Sequence, residues 1–146
     1  MPTVTDRTPG LSLRVRSEGA HVIAALTGEL DIASAPALRE QLLNVLRPAV
    51  SRLIVDLSAV SYADATGLAV LVGTGRRAGL LGGFLRLAAP APAVTGVLRR
   101  TGLYWQFDIF PSVRAAIAGA PAVRLADPAD ARLTALGAVA AQRQPA

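Results

Sequence analysis

The feature that most limits what this chain can fold into is the run Leu53-Ile54-Val55. It is short, continuously apolar and rich in β-branched side chains. A strand with one wet face alternates apolar and polar residues, whereas an unbroken run belongs to a strand covered on both faces. The run is therefore read as the central strand of a sheet. Its neighbours must supply the cover.

The flanking segments fit that reading. Leu11-Ser12-Leu13-Arg14-Val15-Arg16 alternates as a half-buried strand does, and Glu18-Gly19 forms a turn. A more apolar strand from His21 to Thr27 completes a hairpin. Gly28-Glu29-Leu30-Asp31 breaks the pattern. Ser34 before Ala35-Pro36 fits a helix start, with the serine as N-cap and the proline in the first turn. Leu38, Leu42, Val45 and Leu46 recur at helical spacing, and Pro48 ends that helix.

Asp64 to Gly67 leads into a second helix, with Leu68, Leu71, Val72 and Gly75 on one face and Gly79, Gly82 and Gly83 at its end. Phe84 to Leu87 is a fourth strand. A third helix opens at Pro92 and closes at Gly102, and Tyr104-Trp105 either covers a core edge or anchors an interface. A fifth short strand, Phe107 to Phe110, precedes a helix that Ser112 caps and that ends near Gly119.

The order β-β-α-β-α-β-α-β-α predicts one α/β domain over residues 11–119, a mixed, mostly parallel sheet of about five strands with about four helices. Residues 1–10, polar with two prolines, are read as a flexible arm, and residues 120–146 as a flexible tail.

Composition narrows the chemistry. A length of 146 residues suits one domain, and 52% hydrophobic against 17% charged residues predicts a folded chain. There is no cysteine, so disulfides, thiolate chemistry and cysteine zinc sites are excluded. His21 is the single histidine, which excludes a multi-histidine metal site within the chain. All 15 basic residues are arginine, so neither Schiff-base chemistry nor a P-loop lysine is available. No nucleophile–base pair is visible, and the chain is expected to be no enzyme and to need no cofactor.

The net charge of +5 is modest, and the arginines are scattered apart from Arg76-Arg77 and Arg99-Arg100. Aromatics do not interleave with them, so direct nucleic-acid binding is not expected and the doublets read as solvated helix faces. The longest charge-free run, Leu87 to Leu98, contains two prolines and is far short of the roughly 20 residues a spanning helix needs. The first residues lack an apolar signal region. No membrane insertion and a cytoplasmic location are expected. Self-association into a homodimer stays open.

Three segments carry a resemblance when taken together. Leu26-Thr27-Gly28-Glu29-Leu30-Asp31 closes a strand before a helix. Leu53-Ile54-Val55-Asp56-Leu57 is followed by Val60-Ser61-Tyr62-Ala63-Asp64-Ala65-Thr66-Gly67-Leu68. Leu98-Arg99-Arg100-Thr101-Gly102-Leu103 precedes the last strand and helix. In this order and spacing they resemble the STAS family, specifically bacterial anti-sigma factor antagonists, over residues 11–119.

The resemblance implies a partner and a switch. Family members bind an anti-sigma factor of serine/threonine kinase type and so control release of a sigma factor. The kinase phosphorylates a hydroxyl where the second helix opens, and the complex breaks. About two added negative charges in a tight interface cost desolvation and like-charge repulsion. The implied partner-binding residues are Asp31, Asp64, Ala65, Thr66 and Gly67.

The family's motif reads Asp-Ser-Ser/Thr-Gly, with the first hydroxyl residue as acceptor. Here that position is Ala65, whose methyl group cannot accept a phosphate; only Thr66 carries a hydroxyl. Thr66 is thus either an alternative phosphorylation site or the cap of the second helix. Asp64 either contacts the partner, positions a nucleotide phosphate through magnesium, or caps the helix, and Asp31 either flanks the binding face or bonds its own turn. Gly67 is expected to allow a close backbone approach. Small STAS proteins also resemble accessory subunits that dock on the ATPase of lipid-transport ABC systems. Such subunits need no acceptor, which suits Ala65.

Overall fold

The computed structural model describes residues 4–8 and 10–119, with side chains described from residue 10. The expected flexible tail, 120–146, lies outside the described residues. The strands are β1 (Val4–Thr8), β2 (Leu11–Glu18), β3 (His21–Leu30), β4 (Arg52–Ala63), β5 (Phe84–Ala88) and β6 (Asp108–Phe110). The helices are α1 (Ala35–Val45), α2 (Ala65–Leu80), α3 (Pro92–Thr101) and α4 (Val113–Ala118), with a 3-10 turn at Leu103–Gln106.

They form one mixed sheet in the order β1-β2-β3-β4-β5-β6. The first three strands run antiparallel, and β3 to β6 are parallel. Right-handed crossovers that always step to the next neighbour put α1, α2 and α3 on one face. Their Leu38, Leu42, Leu68, Leu71, Val94 and Leu98 pack there on Leu53, Val55 and Leu57. On the other face Ile23, Ile54, Ala88, Phe110 and Ala116 form a smaller cluster beneath α4. The run Leu53-Ile54-Val55 is fully buried, as a strand sealed from both sides must be.

Two elements depart from the sequence expectation. The arm at 1–10 contains β1, paired antiparallel to β2 from Val4↔Val15 to Thr8↔Leu11, around a turn in which Gly10 takes a φ of 74°. Backbone recruits this segment: without β1, the outer N–H and C=O groups of β2 would form a bare sheet edge. The central strand is also longer than its apolar run. Between Ala25↔Asp56 and Thr27↔Ala59, and again between Gly28↔Val60 and Glu29↔Tyr62, β4 carries one residue more than β3. Each bulge shifts the alternation, so Leu57, Val60 and Ala63 point inward at a spacing of three rather than two.

One corner of the smaller cluster titrates. The Arg86 guanidinium lies 3.8 Å over the Phe84 ring and donates at 2.7 Å to the Ala116 carbonyl at the end of α4. His21 packs against the same ring, with centroids 5.8 Å apart. Burial, then the charges of Arg86 and Arg52, hold the imidazole below its ordinary value of 6.5. Below that value the unfolded chain takes up the proton more readily than the folded one. The His21 contribution is therefore present above pH 6.5 and lost as the pH falls through the folded pKa. His21→Gln should flatten the decline of the urea midpoint as the pH falls below 6.5. An identical decline in both proteins would refute this.

Candidate functional site

The parallel pair β3 and β4 ends in register, Glu29↔Tyr62 and Leu30↔Ala63. Each strand feeds a helix directly, so the N-termini of α1 and α2 sit side by side at the carboxyl edge of the sheet. In parallel α/β sheets this edge is where binding surfaces form. The segment Tyr62 to Gly67 is not a free loop: β4 runs to Ala63, Asp64 is the only connector, and α2 starts at Ala65.

Asp64 holds the corner together. Its backbone is extended, with φ −129° and ψ 174°. Oδ1 accepts the Gly67 N–H at 2.8 Å and so caps α2. Oδ2 accepts the Ile32 N–H at 3.1 Å, reaching into the turn before α1. The Asp64 N–H donates to the Leu30 carbonyl at 3.0 Å. A single carboxylate thus pins the β3–α1 turn to the start of α2. The cap is Asp64 and not Thr66, whose hydroxyl makes no hydrogen bond among the described residues.

Asp31 does the matching work for α1. Its Oδ1 accepts the N–H groups of Ala33 and Ser34, each at 3.0 Å. The buried Ser34 hydroxyl accepts the Asp31 N–H at 3.0 Å and donates to the Glu29 carbonyl at 2.9 Å. This reciprocal pair replaces the simple serine cap expected at Ser34, which forms no side-chain cap bond of its own. The aspartate wins because it lies three residues ahead, where its oxygen meets the free N–H groups of the turn. Both carboxylates sit at helix N-termini, where the backbone dipoles favour negative charge.

Gly67 is where the backbones come closest. It is buried, and a Cβ there would collide with the carbonyl of Leu30 and the amide of Asp31. No other residue fits without moving α2.

The caps satisfy the polar backbone and leave a different surface outside. Ile32 is 69% exposed and Tyr62 51%, and Ala65 and Thr66 are exposed between the two helix starts. Asp31, Asp64, Ala65, Thr66 and Gly67 are thus brought into one corner. Ile32 was missed in the sequence, although an isoleucine outside the α1 packing stripe was the available signal. Both carboxylates accept backbone N–H groups, so the two helix starts are tied to each other through backbone hydrogen bonds. Trp105, 43% exposed and stacked 4.9 Å from the buried Tyr104, belongs to a separate region.

Comparison with known proteins agrees with this architecture. The STAS domain model matches residues 12–116. The chain is 33% identical to the anti-sigma-B factor antagonist of Bacillus subtilis, over 68% of this chain and 90% of that protein. It is 26% identical to the anti-sigma-F factor antagonist RsfB of Mycobacterium tuberculosis, over 75% of this chain and 88% of that one. A crystal structure of an anti-sigma factor antagonist from Mycobacterium paratuberculosis superposes with a TM-score of 0.67 at 28% identity, covering 75% of this chain and 92% of that one.

Proposed function

This chain belongs to the STAS domain family, and on that premise we propose that it is an anti-sigma factor antagonist that docks on an anti-sigma factor of serine-kinase type. It is a regulatory binding protein and not an enzyme, and it works in the cytoplasm. Among the described residues no helix is long and apolar enough to cross a membrane. The observation that carries the reading is the Asp64 pin. By fixing the turn at 31–34 against α2, it holds Ile32, Tyr62 and Thr66 in one rigid exposed surface. Exposed aromatic and aliphatic groups on a preorganised frame are the anchors that protein interfaces favour.

The test is titration of the full chain against a serine-kinase-type anti-sigma factor from the same cell. Ile32→Asp with Tyr62→Ala should weaken binding by about tenfold to a hundredfold, with an unchanged circular dichroism spectrum. Equal affinity in the variant would count against this surface. Adding Mg-ATP and weighing the products tests Thr66. Its exposed hydroxyl sits at the second residue of α2, where about two extra charges would lie beside both caps. A phosphate on Thr66 that lowers affinity makes the protein a switch; no phosphate makes it a constitutive antagonist.

Ala65 favours a second reading, an accessory subunit docking on the ATPase of a lipid-transport ABC system. Binding to such an ATPase in place of any anti-sigma factor would select it.

A further inference from the structure

We propose that the groove between α1 and α2 receives an amphipathic helix of a partner protein whose polar flank carries carboxylates. The groove, of about 830 Å³, starts at Thr66 and runs to Leu80. That span of α2 is about 20 Å long, room for about four turns of a second helix.

Three observations specify the occupant. The floor is apolar: Leu43, Ala69 and Val70 line it, and Leu80 closes it at 81% exposure. The rim is cationic. Arg39 comes from α1 and Arg76 and Arg77 from α2, no carboxylate lines the groove, and among the described residues none of the three makes an ion pair. The third is Gly73, exposed on the floor in mid-helix. A Cβ there would meet nothing within 4 Å, so no neighbour in this fold requires a residue that weakens helices. Gly67 and Gly83, by contrast, lie against backbone, and Gly79, which is equally open, sits in the last turn of α2 and does not line the groove. A helix backbone resting on α2 would use the space at Gly73.

An apolar stripe flanked by carboxylates matches floor and rim together. A second copy fits poorly, because a two-fold arrangement would set these arginines against each other. A nucleic-acid backbone would pair the arginines but leave the floor wet.

The proposal extends the docking surface from its rim into the groove, and the probe is chosen to keep the two separate. A labelled helical peptide of about sixteen residues, with leucines on one face and glutamates flanking them, is titrated with the full chain alongside a version bearing lysine at each glutamate. The glutamate peptide should bind at least about tenfold more tightly, and less so at high salt. Gly73→Leu, and separately Arg76→Glu with Arg77→Glu, should each reduce its affinity about tenfold. The Ile32 and Tyr62 variants should leave it unchanged. Equal binding of both peptides, or full binding by Gly73→Leu, overturns the proposal. So does sedimentation showing a dimer that Gly73→Leu dissociates, since the groove would then belong to a second copy.

Discussion

Gly67→Ala is expected to be among the most damaging single changes in the domain, costing about 3 kcal/mol. The added methyl would run into the Leu30 carbonyl and the Asp31 amide, which are backbone and cannot rotate away. Relief requires α2 to retreat from β3. That retreat stretches the Asp64 N–H bond to Leu30 and the Asp64 carboxylate bond to Ile32. One substitution thus disturbs packing and two cross-connections at once. The thermal midpoint should fall by about 10 °C, and a urea titration should show a lower midpoint with an unchanged slope. A melt indistinguishable from the parent would refute the close approach.

The second large effect is expected at Asp64, and two variants separate its roles. Asp64→Ala removes the α2 cap and leaves the Ile32 N–H without its partner, a loss of about 2 kcal/mol in total. Asp64→Ser keeps a capping oxygen for Gly67 but cannot reach Ile32. It should recover about half of the lost stability. Docking should follow the other bond: both variants should bind the anti-sigma factor at least about tenfold more weakly, because the turn carrying Ile32 is no longer held. If Asp64→Ser bound as the parent does, the pin would have no part in docking.

The helical half of this fold was legible in the sequence because it is written in side chains. The stripes of α1 and α2, the Gly102 left-handed turn and the Ser112 cap, which accepts the Ala115 N–H at 3.0 Å, all follow from local rules. The central strand was legible only as far as Val55. Beyond it the two bulges shift the alternation, and a period-two search loses the strand where it approaches the site. β1 was missed because its place depends on the backbone edge of β2.

At the candidate site, the sequence named residues that the fold brings into one corner and left their duties unresolved. Asp31, Asp64 and Gly67 stand out by resemblance, but whether a carboxylate caps a helix or faces a partner depends on which N–H groups lie within about 3 Å. The bond from Asp64 to Ile32 joins residues far apart in sequence, and no local pattern encodes it. The same holds for Arg39 and Arg76-Arg77. They look like separate solvated faces along the chain and share one groove only once α1 and α2 are packed.

The strand order has a consequence for how the molecule is made. Because the sheet is laid down as β1-β2-β3-β4-β5-β6, every strand pairs with one already synthesised, and none must wait to be inserted between two later ones. Contacts between sequence neighbours close with little loop entropy, and domains assemble from the N-terminal side as they leave the ribosome. The pinned corner and the α1–α2 groove lie entirely between β3 and the end of α2. The nascent chain therefore holds all the residues of the proposed docking face before β5, β6 and α4 exist, and the last third of the domain serves to seal the sheet beneath it.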